Sequence, residues 1–182
     1  MKIAIYGGSF DPPHVGHEAI INKAFIQLDI DKLVIVPTFL NPFKTNSHLD
    51  AKQRLFLLQE LYKDSNKISI SDFEILKNRA VYSIETIKYL KNKYNTSKIY
   101  LIIGTDNLAK LPLWHGYEEI KKFVEVVVAT RSGFLNENYG KMQTLNVDIN
   151  ISSTQLRDNL DLDFIPEKIK TIVKQIWQTD KR

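Results

Sequence analysis

Short apolar runs alternate with longer segments of helical periodicity along most of the chain. Apolar runs of strand length cover 3–6, 33–36, 98–103 and 124–130, and 68–73 alternates as a strand does. Helical patterns lie between them over 16–28, 51–62 and 83–94, and a last amphipathic helix is predicted over 166–177. Strands separated by helices imply right-handed crossovers. The pattern therefore predicts a Rossmann-like, doubly wound α/β fold, with helices on both faces of a mostly parallel sheet.

The same pattern carries finer expectations about individual positions. The first strand is expected to end at the pair Gly7-Gly8, and Ser83 is expected to cap the helix that follows it. The positions of the second helix expected to face the core are Leu55, Leu58 and Tyr62.

Composition limits the classes of protein that this chain can form. It has 182 residues, 43% of them apolar, with 7 Gly and 6 Pro and no stretch that looks like a linker, so we expect one domain over 1–182. The absence of cysteine excludes disulfides and thiolate chemistry. No signal peptide or membrane span is evident. We expect a cytoplasmic protein.

The charge fits anionic substrates better than nucleic acid. The net charge is +4, from 25 Lys and Arg against 21 Asp and Glu. The densest basic segment, 88–98, is interrupted by other residues and lacks an array of stacking aromatics, which is typical of a solvated helix face. We therefore expect no nucleic-acid partner.

The strongest motif lies at the turn between the first strand and the first helix, where 7–17 reads GGSFDPPHVGH. A helix N-terminus at the carboxyl edge of a parallel sheet offers free N–H groups to a phosphate. His14 and His17 are three residues apart, so both rings can face one anion, and Gly16 is expected to leave room for it. Taken alone, the two histidines could equally be capping or surface residues.

Three better-known motifs do not fit this turn. Neither Gly7 nor Gly8 is followed by the Gly-Lys pair of a Walker A loop, and the GxGxxG fingerprint is absent. His17 begins like a zinc protease motif, but position 21 is Ile21, so we predict no metal site built by protein ligands.

A second candidate anion site opens a short helix near the end of the chain, where 151–157 reads ISSTQLR. Hydroxyls and backbone N–H groups there can meet phosphate oxygens, while Arg157 offers a planar fork of donors. An ordinary helix cap with a surface arginine is the alternative.

These motifs resemble those of the nucleotidyltransferase superfamily, and in particular the bacterial nicotinate mononucleotide adenylyltransferases. The resemblance rests on the stretches at 7–17 and 151–157 and, between them, on IGTDN at 103–107 followed by LPLWH at 111–115. It implies an adenylyltransferase of NAD biosynthesis that joins ATP and nicotinate mononucleotide, with Mg²⁺ accompanying ATP.

The resemblance also implies roles for individual residues. Those expected to bind ATP are Gly8, Ser9, Phe10, His14, His17, Gly104, Asp106, Ser152, Ser153, Thr154 and Arg157, of which His14, His17 and Arg157 are the catalytic candidates. Those expected to bind the acceptor are Lys44, Ser83, Trp114, His115 and Arg131. Trp114 would stack on the pyridine ring, unless it is simply a core residue, and Asp106 would bind a ribose.

One segment departs from the family pattern. The family often has PPHK after the second strand, whereas 41–44 reads NPFK here, so Lys44 is retained but Phe43 cannot donate the hydrogen bond of a histidine. Two other functions remain open at this stage. They are an adenylyltransferase for phosphopantetheine or nicotinamide mononucleotide, and a non-catalytic nucleotide-binding module. The sequence does not determine the oligomeric state.

Overall fold

The strands form one parallel sheet. The computed structural model describes residues 1–40, 47–131, 142–149, 151, 153–159 and 161–179. The strands are β1 (Lys2–Gly8), β2 (Lys32–Pro37), β3 (Ile68–Ile70), β4 (Lys98–Gly104), β5 (Glu125–Arg131) and β6 (Gln143–Val147). Their order is β3-β2-β1-β4-β5-β6, and every neighbouring pair is parallel. The predicted fold class is therefore confirmed.

Helices fill the connections between the strands. They are α1 (Val15–Gln27), α2 (Ala51–Tyr62), α3 (Phe73–Leu76), α4 (Ser83–Tyr94), α5 (Thr105–Leu108), α6 (Tyr117–Phe123), α7 (Ser153–Asn159) and α8 (Glu167–Thr179), with a 3-10 turn over Leu111–Leu113. No helix among the described residues is long and apolar enough to cross a membrane.

Alternate residues of the central strands enter different cores. Ala4 and Tyr6 of β1 pack with Ile21 and Ala24 of α1, whereas Ile3 and Ile5 belong to a second core that contains Ile84, Ile87 and Leu90 of α4 and Ile120 of α6. This alternation follows from the two-residue period of a strand. Helices therefore cover both faces of the sheet, and a third apolar cluster joins α2, α7 and α8.

Several local predictions need correction. β1 ends at the Gly7-Gly8 pair as predicted, but it includes both glycines and begins at Lys2, so it is longer than the apolar run 3–6. β3 ends at Ile70, and the chain then turns into α3 at Phe73, whose N–H donates to Ser71 Oγ at 3.4 Å. Tyr82 occupies the N-cap of α4, so Ser83 is the first helical residue and not the cap.

The buried side of α2 also differs from the prediction. Its buried residues are Arg54, Leu57, Leu58 and Leu61, so Leu58 is inward as predicted while Leu55 and Tyr62 are only half-buried. The buried face is therefore rotated about the helix axis relative to the predicted one, and it includes Arg54. A pattern of apolar positions assigns such a charged residue to solvent.

The order of the strands reverses between β1 and β4. Successive crossovers from β1 lead outward to β2 and β3, and the chain then returns to place β4 on the other side of β1. In open parallel sheets, ligands bind beyond the carboxyl ends of the strands at such a point.

Candidate active site

The two motif histidines lie together at the start of α1. His14 is the N-cap and is 3% exposed, and its backbone N–H donates to His17 Nδ1 at 3.1 Å. The two ring centroids are 3.7 Å apart. Because Nδ1 of His17 accepts this bond, the neutral ring carries its hydrogen on Nε2 and can donate it. The two rings therefore lie side by side, and the predicted contact of both with one anion stays a prediction.

Gly16 has a different use from the one expected. A Cβ at this position would lie 3.0 Å from the His14 ring and 3.2 Å from Ile151 Cγ2. The space at Gly16 is therefore taken by protein atoms and not kept for a ligand. The glycine lets the segment before α7 approach the start of α1.

Phe10 holds the loop before α1 in an unusual conformation. Its φ is 50°, and its ring is 1% exposed, packed edge-on against Tyr6 at 5.4 Å and tilted against His17 at 4.8 Å. A left-handed residue with a side chain costs roughly 1–3 kcal/mol, which the surrounding contacts must offset. The ring therefore anchors the loop, and the contact of the Phe10 backbone with a phosphate stays a prediction.

Arg157 reaches the same loop from α7. Its Nη1 donates to the Asp11 carbonyl at 2.5 Å and lies 3.6 Å from Asp11 Oδ2, and its Nη2 donates to Thr154 Oγ1 at 3.2 Å. Ser153 Oγ donates to the Pro12 carbonyl at 3.3 Å. The side chain of Arg157 is 19% exposed, so it is not a surface arginine. The first motif and the helix that carries Arg157 therefore meet here.

Arg54 supports the loop from beneath and was missed by the sequence analysis. It is 1% exposed, and its guanidinium donates to the carbonyls of Ser9, Thr38, Phe39 and Leu49. Burial lowers the pKa of Arg54, while Asp11 and Asp50 oppose that change. The only sequence signal was an arginine within an otherwise apolar helix face.

A cavity of about 450 Å³ opens beyond β1, β2 and β4, on the opposite side of β1 from α1. Its walls are mainly apolar and include Val36, Val81, Ile87 and Ile103. A few polar groups interrupt them, as is usual in a site that orients a small ligand.

Three of the five predicted acceptor residues line this cavity. Ser83, Trp114 and His115 all contribute to its wall, together with Gly8 from β1. The exposed ring of His115 stacks on Tyr82 with centroids 4.3 Å apart. The indole Nε1 of Trp114 is buried and meets no acceptor among the described residues. A buried donor without a partner costs about 1–3 kcal/mol, so a ligand that satisfied it would gain affinity.

Gly104 and Asp106 lie beside the cavity and do not contribute to its wall. Their neighbours Ile103 and Asn107 line it, while Asp106 is exposed in the first turn of α5. A Cβ on Gly104 would lie 2.6 Å from Asp106 Oδ1, so the glycine permits the carboxylate to fold back over the end of β4. The side chain of Asp106 is thus exposed to solvent beside the cavity, and its contact with a ribose stays a prediction.

Glu74 and Thr86 form a buried polar pair in the cavity wall that the sequence analysis also missed. Thr86 Oγ1 donates to Glu74 Oε1 at 2.6 Å, and the two residues are 3% and 7% exposed, respectively. Burial raises the pKa of Glu74 to about 7, although the bond from Thr86 lowers it and the nearby charge of Glu85 raises it further. A carboxyl group that titrates near neutral pH therefore faces the cavity.

Four sequence-predicted residues cannot be placed. Lys44 and Ser152 lie outside the described residues, as does Phe43. Arg131 ends β5, but its side chain is not among those described. Within the described ranges, no three His, Asp or Glu side chains lie together as a metal site would require.

Comparison with known proteins defines the class. The sequence matches the cytidylyltransferase-like family over residues 5–159, a range that begins in β1 and ends with α7. It thus includes both histidines and Arg157. The chain belongs to the cytidylyltransferase-like family.

Relatives with about half of their residues identical indicate the group within this family. The chain is 50% identical over 170 residues to a probable nicotinate-nucleotide adenylyltransferase of Aliarcobacter butzleri, covering 93% of each chain. It is 45% identical over 179 residues to a protein of the same name from Campylobacter jejuni, covering 98% of this chain and 97% of the other. Within its family the chain groups with the nicotinate-nucleotide adenylyltransferases.

Solved structures share the fold. Plasmodium falciparum nicotinic acid mononucleotide adenylyltransferase complexed with NaAD has a TM-score of 0.75 at 21% identity, covering 96% of this chain and 95% of that one. The same enzyme complexed with APC has a TM-score of 0.73 at 20% identity, with the same coverage. At this identity the likeness supports the architecture alone.

Proposed function

We propose that the protein transfers the adenylyl group of ATP to nicotinate mononucleotide, releasing pyrophosphate and forming nicotinate adenine dinucleotide for NAD synthesis. The observation that carries this proposal is the meeting of His14, His17 and Arg157 at the start of α1, beside a cavity beyond β1. The relatives' names support the same acceptor.

The chemistry requires positioning and charge neutralisation more than a protein nucleophile. An oxygen of the acceptor's phosphate attacks the α-phosphorus of ATP in line, and pyrophosphate leaves with the bonding electrons. The attacking phosphate is already ionised at neutral pH, so no strong base is needed. His14 and His17 donate to oxygens that gain charge, and Arg157 with Thr154 closes over the triphosphate.

The acceptor's pyridine ring would enter the cavity and lie against Trp114. Its carboxylate would meet backbone N–H groups near Ser83 and His115, which both line the cavity. Lys44 and Arg131 remain predicted contacts to the acceptor, and Asp106 a predicted contact to a ribose.

Magnesium would accompany ATP. The ion would take its ligands mainly from triphosphate oxygens and water, as Mg²⁺ commonly does. Bound in this way, it would neutralise charge on the triphosphate.

Pyrophosphate release tests the proposed function directly. The purified protein is incubated with ATP, Mg²⁺ and one acceptor at a time: nicotinate mononucleotide, nicotinamide mononucleotide or phosphopantetheine. We expect the first to give the highest kcat/KM. A preference for phosphopantetheine would assign another acceptor, and no release with any acceptor would favour a nucleotide-binding module.

The acid acceptor is expected to be preferred over its amide by roughly tenfold to a few hundredfold in kcat/KM. A carboxylate only accepts hydrogen bonds, whereas the amide would turn an NH₂ donor towards backbone donors and leave a buried group unpaired, at about 1–3 kcal/mol. Competition assays measure the ratio. Equal kcat/KM for the two acceptors would contradict the backbone-carboxylate arrangement.

Trp114→Ala should weaken binding of the acceptor and leave ATP binding unchanged. Its effect on acceptor binding should be larger than that of substituting the His115 side chain.

Arg157→Ala is expected to weaken ATP binding by about tenfold, besides lowering turnover, because a charged donor contacts the triphosphate before and during reaction. Isothermal titration with a non-hydrolysable ATP analogue measures the loss. Lys170→Ala is a suitable control, since Lys170 pairs with Glu167 in α8. Unchanged affinity in Arg157→Ala would limit Arg157 to holding the Asp11 loop.

The predictions of one domain, a cytoplasmic location and no nucleic-acid partner remain predictions. The packing of α8 against α2 supports the first, because Ile169 and Val173 lie in the same cluster as Leu57 and Leu61. A single cooperative unfolding transition would agree with it.

A further inference from the structure

Arg54 makes four hydrogen bonds to backbone carbonyls, although it lies on a helix that carries none of the predicted site residues. Its Nη1 donates to Ser9 at 2.7 Å and to Thr38 at 2.8 Å. Nη2 donates to Phe39 at 2.9 Å and Nε to Leu49 at 3.2 Å. A guanidinium has five N–H donors in a fixed plane, so it can hold several segments at once where an ammonium cannot.

The bond to Ser9 fixes the peptide unit that contains the Phe10 N–H. In a trans peptide the C=O and the following N–H point in opposite directions within one plane. Since the Ser9 carbonyl points towards Arg54 inside the protein, the Phe10 N–H points away from it. No described residue accepts a hydrogen bond from this N–H. A backbone donor with no acceptor among the described residues therefore stands at the predicted triphosphate site.

The same guanidinium connects the loop after β1 with the loop after β2. Thr38 and Phe39 directly follow β2, and the Thr38 N–H also donates to the Gly8 carbonyl at 3.0 Å. The two loops are thus fixed relative to each other at the carboxyl edge of the sheet.

Leu49 extends the connection towards Arg157. Its carbonyl accepts from Arg54, while its N–H donates to Asp11 Oδ1 at 2.8 Å. Asp11 in turn pairs with Arg157. Arg54 is therefore linked through backbone and one carboxylate to the arginine expected to contact ATP.

We infer that Arg54 is a positioning residue for adenylyl transfer, which holds the Phe10 N–H and the Asp11 loop in the geometry that receives the triphosphate. This inference rests on the proposed function. Arg54 does not touch a substrate. It acts through the Ser9–Phe10 peptide, so its loss should reduce kcat more than the KM of the acceptor, whose pyridine end lies against Trp114.

The first test replaces Arg54 by lysine, which keeps a charge but cannot reach four carbonyls. We expect Arg54→Lys to lower kcat about tenfold, in line with the sensitivity of group transfer to small misplacements, and to leave the KM of nicotinate mononucleotide within about twofold. Leu57→Ala is the matched control, because it opens the core one turn along α2 and removes none of the hydrogen bonds that Arg54 makes. It should lower the melting temperature but leave kcat unchanged at about 20 °C, which is well below the melting temperature of a typical mesophile domain.

A second test uses chemical rescue. In Arg54→Ala, added guanidinium at low millimolar concentration should restore part of kcat, whereas equal NaCl or urea should not. If this variant does not fold, the lysine variant alone decides. The inference is overturned if Arg54→Lys keeps kcat within about twofold of the wild-type value, or if its loss is matched by Leu57→Ala. A wild-type protein without adenylyl transfer would instead overturn the proposed function.

Discussion

Replacing His17 by alanine is expected to lower turnover by about 100- to 1000-fold, the usual loss when one preorganised donor to a transition state is removed. His17 can donate from Nε2, because its Nδ1 accepts the His14 N–H. The whole decrease should appear in the rate of the chemical step, which is measured in a single turnover at saturating ATP and acceptor. His14→Ala should also chiefly reduce turnover.

The fold should survive the His17 substitution. The ring is half-buried, and the rings beside it include those of Tyr6, Phe10 and His14. His48→Ala is a matched control, since His48 is exposed and contacts Asp11 through its backbone N–H instead of its ring. Near-normal turnover in His17→Ala, with a wild-type circular dichroism spectrum, would rule out the catalytic role.

Glu74→Gln is expected to remove most of the decline in stability that the wild-type protein shows between pH 5 and pH 7. The pKa of Glu74 is raised from 4.5 to about 7, chiefly by burial. Between these values the folded protein holds a proton that the unfolded chain has lost, so the free energy of unfolding falls as the pH rises towards 7 and then levels off. The difference between the two pKa values corresponds to about 3 kcal/mol in the free energy of unfolding.

Urea unfolding at a series of pH values measures this effect. The glutamine variant stays neutral throughout and can still accept the hydrogen bond from Thr86, so its curve should be flatter than that of the wild type. Glu118→Gln is the control, because it removes a carboxylate whose side chain is 81% exposed on α6. Equal slopes in Glu74→Gln and the wild type would show that Glu74 is already ionised in the folded protein at pH 5.

The sequence by itself determined the features that depend on residues close together in the chain. The two-residue and 3.6-residue periods identified the central strands and long helices, because those periods match the geometry of the elements themselves. The spacing of His14 and His17 was sufficient to place both rings at the start of one helix. Short elements such as β6 and α6 were missed, since five or seven residues of mixed polarity show too little of either period.

Only the tertiary structure decided the contacts between distant segments. Arg54 and Glu74 carry no local signal, because a charged residue within an apolar pattern is normally assigned to water. Each is buried only because the fold brings partners to it: the Ser9 and Thr38 carbonyls to Arg54, and Thr86 to Glu74. Gly16 was misjudged for the same reason, as the atoms filling the space beside it include those of Ile151. Burial of a polar group becomes favourable only when its hydrogen-bonding partners arrive with it, and the packing of the sheet and helices determines which partners arrive.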